Sequence, residues 1–269
     1  MARGYARPPS ARDNGDVSRT IDVNSDLGES FGQWRMGDDE QMLRAVSSAN
    51  VACGFHGGDP TTMLETCRIA AASGVVIGAH PSFPDLVGFG RRHLRVSPAE
   101  LAADTVYQLG ALAGVATAAS TAMRYVKPHG AMYAAVAADP DLAQAFVRAV
   151  AAFDSRLAVL GMPGSEVERA ADAAGLRFVA EAFADRGYLA SGHLAPRDAP
   201  GALVTDPEAA AARVLRMVAD GEVEAVGGGT VRIAAESVCV HGDTPGAVGI
   251  ARAVRAALAD AGIPVGSFA

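Results

Sequence analysis

The sequence predicts an α/β protein folded as an irregular (β/α) barrel with seven or eight mainly parallel strands. Three observations lead there. Four apolar segments run straight into a histidine beside glycine or proline: VACGFHGGDP at His56, VVIGAHPSFPD at His80, YVKPHGAMY at His129 and VCVHGDTP at His241. A β-branched run that stops at turn-forming residues reads as a buried parallel strand, and its carboxyl end is where α/β folds keep their chemistry. Strand-like and helix-like stretches then alternate along the chain with no break in composition, which fits one closed barrel better than two lobes.

In chain order, residues 1–18 are rich in Arg, Pro, Gly and Asp and read as a flexible tail, and residues 19–269 read as a single barrel domain. TIDVNSDLGES opens it, with Ile21 and Val23 alternating with Asp22 and Asn24 before a loop carrying Asp26 and Glu29. SSANVACGF is the second strand, and a helix over 60–73 follows, with Asp59 as N-cap, Pro60 at the first helical position and Gly74 as its stop. After VVIGAH, the segment SFPDLVGFGRRHLRV is a long connection that must cover something, and its tip reads as a lid. Ser97, Pro98 and Glu100 form a capping box for a long helix leading to MRYVKPHG. Helix 140–153, strand LAVLGM, helix 165–174 and strand RFVAEAF continue the alternation. GALVTD precedes a helix begun by Asp206 and Pro207, TVRIAAESVCVHGD supplies one or two closing strands, and helix 245–261 ends at Gly262.

The 269 residues are half apolar, enough to bury a large core. A formal charge of −7 excludes phosphate-backbone binding, so nucleic acid is not an expected partner. No run of about 18 apolar residues and no apolar leader is present, so neither membrane crossing nor export is expected and the cytoplasm is the expected compartment. Cys53, Cys67 and Cys239 are an odd set without CxxC spacing, which reads as reduced, buried thiols.

Aligning the strands by their ends gathers four of the six histidines at one rim with a set of acids: Asn24, Asp26 and Glu29, then His56 and Asp59, His80 and Asp85, Lys127 and His129, Glu181, Asp185 and Arg186, and His241 with Asp243. Interleaved carboxylates and imidazoles shift one another toward neutral pKa for acid–base work, and the same groups are ligands for zinc or manganese. Bland accounts stand beside these. Asp59 and Asp243 read as helix caps, any single one of the four histidines reads equally well as a satisfied core residue, and Lys127 has a structural alternative in a salt bridge to Asp26 or Glu181. Arg91, Arg92 and Arg186 either bind an anionic substrate group or face water, with water the default for the first two. His93 and His193 lack the strand-end position and read as surface residues. Cys239 sits two residues before His241, where a buried structural thiol is the preferred reading over a nucleophile. No GxxxxGK[ST] loop occurs, and GGG at 227–229 reads as a turn.

Together, DVNSDLGESFG at 22–32, SANVACGFHGGDP at 48–60, GAHPSFPDLVGFGRR at 78–92, YQLGAL at 107–112, VKPHGAMY at 126–133, EAFADRGY at 181–188 and VCVHGDTP at 238–245 resemble the family of 5-oxoprolinase A subunits, the LamB/YcsF lactam utilisation proteins. The family usually has cysteine where this chain has Ser25. The resemblance implies a glycoside hydrolase/deacetylase-like barrel and ATP-dependent opening of 5-oxo-L-proline to L-glutamate with release of ADP and phosphate, in a complex with subunits B and C. ATP is then a cosubstrate, and its phosphoryl transfer is expected in or against a partner, because this chain has no nucleotide loop. In the deacetylases an Asp and two His bind a metal, and Asp26, His56 and His80 would stand in comparable places, which leaves metal dependence open. The catalytic set expected is Asp26, His56, His80, Lys127, His129, Glu181 and His241, with Asp26 or His129 activating water and Lys127 and His80 stabilising charge on oxygen. Asn24, Arg91 and Arg186 are expected to bind substrate, one of the arginines taking its carboxylate. Two other classes compete: a metal-dependent amide or N-acetyl hydrolase working without ATP, and a non-catalytic subunit that presents substrate.

Overall fold

A computed structural model describes residues 20–269; the expected tail over 1–18 lies outside the described residues. Seven parallel strands close on themselves: β1 (Asp22–Leu27), β2 (Ser48–Ala52), β3 (Val76–His80), β4 (Met123–Val126), β5 (Ala158–Gly161), β6 (Phe178–Phe183) and β9 (Ser237–Cys239), with β9 hydrogen-bonded to both β6 and β1. The remaining two, β7 (Glu222–Glu224) and β8 (Thr230–Arg232), form an antiparallel pair outside the barrel. So TVRIA is not a barrel strand. GALVT is not one either: Leu203 makes only an isolated bridge to Arg186.

Helix boundaries follow local chemistry. α2 (Pro60–Ser73), α3 (Pro98–Ala118), α5 (Pro140–Phe153) and α7 (Pro207–Ala219) each start with proline behind a capping Asp59, Ser97, Asp139 or Asp206, whose side chain accepts from the first-turn amides. α6 (Glu166–Ala174) ends at Gly175 and α8 (Ala247–Asp260) begins behind Gly246, so Asp243 is not its cap. Two helices escape the sequence pattern. α1 (Asp39–Leu43) is short, and α4 (Gly130–Ala138) starts directly after His129 with no side-chain cap.

The apolar core lies between barrel and helices. Ile21, Val23, Val51, Ile77 and Val126 face outward to meet Leu109, Leu112, Phe146 and Ile250. Inside, the barrel is polar along β1 and β2 and apolar where Tyr125, Ala158, Leu160 and Val179 cluster on β4, β5 and β6. Asp22, Asn24 and Asp26 alternate on the inner face of β1 and meet Ser48, Asn50, Glu181 and Ser237 through side-chain hydrogen bonds. Tyr125 fills the narrow end, donating to Asn50 Oδ1 and packing edge-on against Phe268 from the C-terminal segment. Gly78 leaves room for it: a Cβ there would lie 2.2 Å from the Tyr125 ring.

Candidate active site

The carboxyl ends of the strands open into a cavity of about 740 Å³ walled by Asp26, His80, Lys127, His129, Arg186 and His241, among others. Two buried groups of side chains meet there.

The first is an imidazole cluster. β3 delivers His80, the β2 end delivers His56, and His129 precedes α4; all three are 1–3% exposed. His80 donates from Nδ1 to the Lys127 carbonyl oxygen at 2.8 Å, and His129 donates from Nε2 to the Phe89 carbonyl oxygen at 2.9 Å. Their other nitrogens, His80 Nε2 and His129 Nδ1, face each other at 3.0 Å. His56 lies parallel to His129, with 3.7 Å between ring centroids and 8° between planes, and its Nε2 is 3.2 Å from Glu29 Oε1. His56 Nδ1 is buried without a partner. The segment after β3 covers the cluster. Its Gly90 has φ +63° and presses so closely that a Cβ would meet Ser82, His129 and His56 side chains within 3 Å. Asp85 pins the loop through the Gly88 amide at 2.9 Å and the Arg92 guanidinium.

The second group is centred on Lys127, 2% exposed, whose Nζ is 2.9 Å from Asp26 Oδ1, 2.8 Å from Glu181 Oε1 and 3.2 Å from Cys239 Sγ. The salt bridge offered as its structural alternative is therefore present twice over, yet Lys127 also reaches the cavity wall. Beside it, His241 Nδ1 donates to Asp185 Oδ1 at 2.9 Å, Thr244 donates to Asp185 Oδ2 at 2.5 Å, and the His241 ring stacks on Phe183.

Electrostatics separate these groups. Burial raises the Asp26 carboxyl, but His80 and Lys127 outweigh it and hold it well below the usual carboxylate range. Burial and the Asp26 charge push Glu29 well above its ordinary value. Burial opposes the charge on Lys127, and Asp26, Cys239 and Glu181 more than restore it, so the ammonium stays protonated. Burial and then the neighbouring imidazoles lower His129, and burial with His80 lowers His56, so both rings are neutral. Burial lifts the Cys239 thiol well above its usual value, which removes it as a nucleophile.

Several expected placements change. Asn24 lies below the cavity floor, fully buried and donating to Glu181 and Ser237, and is not among the residues that line the cavity. Glu181 is likewise beneath Lys127, inside the barrel. Arg186 is on the wall, but its Nη2 and Nε donate to the carbonyl oxygens of Ala195 and Ala202. Arg91 does not default to water: it reaches the cavity and pairs with Asp243 at 2.6 Å. Arg92 pairs with Asp85. His129, expected as a base, turns its one lone pair toward His80 Nε2, and Asp26 is held too acidic to take a proton readily. Asp59 is the cap it reads as. His93 is exposed, whereas His193 stands at the cavity's outer edge. Tyr133 escapes the sequence pattern; it lines the cavity from α4, one turn after His129, with its hydroxyl buried toward Glu181, a spacing that a helix assignment there would have revealed.

A closed parallel barrel with convergent acids, imidazoles and a buried lysine at its carboxyl-end mouth is the architecture of a (β/α)-barrel enzyme. Residues 21–269 match the LamB/YcsF family, and the chain belongs to it. It is 57% identical to the 5-oxoprolinase A subunit of Kocuria rhizophila, over 93% of this chain and 99% of that protein. It is 52% identical to the 5-oxoprolinase A subunit of Thermus thermophilus, over 92% and 99% respectively. The crystal structure of the lactam utilization protein from Thermus thermophilus superposes with a TM-score of 0.88 at 51% identity, covering 93% of this chain and all of that one.

Proposed function

We propose that this chain is the lactam-opening component of a multisubunit 5-oxoprolinase, working with partner subunits B and C to convert 5-oxo-L-proline, ATP and water to L-glutamate, ADP and phosphate in the cytoplasm. The names carried by its relatives support the substrate. The observation that carries the chemistry is His241: its Nδ1 is fixed on buried Asp185, which leaves Nε2 as the proton acceptor on a ring that lines the cavity.

A lactam carbonyl is a poor electrophile. Transfer of the ATP γ-phosphoryl group to its oxygen, in or against a partner, releases ADP and leaves a carbon that water can attack. Water adds to that carbon as His241 takes its proton. The same proton then goes to the ring nitrogen, the carbon–nitrogen bond breaks, and γ-glutamyl phosphate remains; a second water splits it to glutamate and phosphate. The Lys127 ammonium stabilises the negative charge that develops on the carbonyl oxygen as the second water adds to the acyl phosphate. Arg91, at the cavity edge, takes the substrate carboxylate in exchange for Asp243.

The test is reconstitution of this chain with candidate B and C subunits, measuring glutamate and phosphate with 5-oxoproline present and omitted. Equal yields of both products only when all components are present is the expected result. Lactam opening by this chain without ATP would instead favour the metal-dependent amide hydrolase, the reading that the imidazole–carboxylate cluster favours. Full ATP-dependent turnover by this chain alone would overturn the division of labour.

A further inference from the structure

The cluster of His80, His129 and Glu29 has a hydrogen-bond problem that protein atoms alone do not solve. A carbonyl oxygen only accepts, so His80 Nδ1 and His129 Nε2 must both carry hydrogens to satisfy the Lys127 and Phe89 carbonyls. In neutral rings the nitrogens that face each other at 3.0 Å are then both bare lone pairs. Around them stand further acceptors: Glu29 Oε1 is 3.5 Å from His129 Nδ1, and Asp26 Oδ1 is 3.3 Å from His80 Nε2. With Glu29 ionised, lone pairs converge on a point to which no protein group donates.

We propose that this point is a divalent metal site, of the zinc or manganese class, held by His80 Nε2, His129 Nδ1 and the Glu29 carboxylate, with an open position toward Asp26 and the cavity. The spacing of 3.0 Å suits one ion: two nitrogens each about 2.1 Å from it lie about 3.0 Å apart at an octahedral right angle and about 3.4 Å apart at the tetrahedral angle. The carbonyl bonds on the far nitrogens are the outer-shell contacts that orient metal-bound imidazoles. Charge fits as well. Buried Asp26 and Glu181 against buried Lys127 leave one negative charge uncompensated when the imidazoles are neutral, Arg91 is already paired with Asp243, and an ion beside Glu29 would offset the burial and the Asp26 charge that otherwise favour its protonated form.

His56 belongs to the cluster without joining the ligand set. Its plane is parallel to that of His129, so one ion cannot lie in both ring planes. Instead its Nε2–H donates to Glu29 Oε1 and aims that carboxylate. His56 is a positioning residue, and His80, His129 and Glu29, which come from three separate strand ends, are the ligands.

Occupancy is read without turnover, so the inference stands or falls independently of the lactam reaction. The full-length protein, stripped with chelator, is titrated with Zn²⁺, Mn²⁺ and Co²⁺ and followed by calorimetry, elemental analysis and the visible absorption of Co²⁺. One ion per chain bound at micromolar or better affinity is expected. His129→Ala and Glu29→Gln should weaken it by about 100-fold or more, His56→Phe by about 10- to 100-fold, and His93→Ala not at all. Circular dichroism checks that each variant is folded. The wild-type titration decides the matter even where a variant fails to fold: no ion bound in that range overturns the proposal. Undiminished binding by folded His129→Ala overturns it too, as does a strongly deshielded imidazole proton that persists in labelled protein at saturating Zn²⁺.

Discussion

Asp185 holds His241 from beneath: Oδ1 accepts from the ring Nδ1 at 2.9 Å while Oδ2 accepts from Thr244 at 2.5 Å, and the carboxylate is wholly shielded from solvent. An imidazole held this way has one tautomer and one orientation. That makes it the best-placed base in the cavity, ahead of His129, whose one lone pair points at His80, and Asp26, which accepts from Lys127 and Asn50.

In the reconstituted complex, His241→Ala should therefore lower kcat by about 10²- to 10⁴-fold, the usual contribution of a positioned acid–base group. Added imidazole should restore part of the rate by filling the vacated space. Asp185→Asn should lower kcat by a comparable factor without responding to imidazole. Steady-state rates with unchanged circular dichroism are the measurement, and a normal kcat in His241→Ala would remove this residue from the chemistry.

Acid stability reports on the same pair. Burial raises the Asp185 carboxyl, but the His241 and Thr244 contacts outweigh it, so its folded pKa lies below 3.8. A depressed acid contributes stability above its unfolded pKa and loses it as pH falls through the folded value. The stability difference between wild type and Asp185→Asn should shrink as pH falls below about 4. Urea midpoints across that range check the sign.

Lys127 shows why a buried ion pair is costly to break from one side. Lys127→Met leaves Asp26 and Glu181 facing each other without a cation, and should destabilise the fold by about 3–5 kcal/mol. Lys127→Met combined with Glu181→Gln removes one orphaned charge and should recover part of that loss. Denaturant unfolding of the two variants measures it, and equal destabilisation by both would show that the charge on Glu181 is not what matters.

How much of this was legible in the sequence depends on the range of the interaction. The strand ends at His56, His80, His129 and His241 were readable because each apolar run stops at a turn residue, and the Asp–Pro and Ser–Pro helix starts were readable because a cap is a local contact. α4 was not, since it follows His129 with no side-chain cap to mark it. Nor was the position of TVRIA, because its pairing with β7 outside the barrel depends on the intervening turn and not on its own pattern. Tautomers were out of reach for a further reason: what fixes His80 and His129 are main-chain carbonyls of Lys127 and Phe89, and a carbonyl leaves no trace in residue identity.

The loop over the imidazoles offers the sharpest test of that last point, because one glycine controls where its carbonyl sits. Gly90 has φ +63°, and a Cβ there would come within 2.2 Å of Ser82 Oγ, 2.7 Å of the His129 ring and 2.9 Å of His56. Two of those neighbours belong to packed histidines, so the loop must move in their place. Gly90→Ala should lift the segment off the cluster, part Phe89 O from His129 Nε2 and break the Ala131 amide bond to Gly90 O, which is 2.8 Å in length. The barrel strands are untouched, so the cost should be local: about 1–3 kcal/mol of stability, with faster hydrogen exchange confined to residues 85–92 and the start of α4. Turnover should fall at least about tenfold because His129 loses its orienting acceptor. Wild-type exchange rates in that segment together with wild-type turnover would mean that the loop merely rests on the imidazoles and does not hold them.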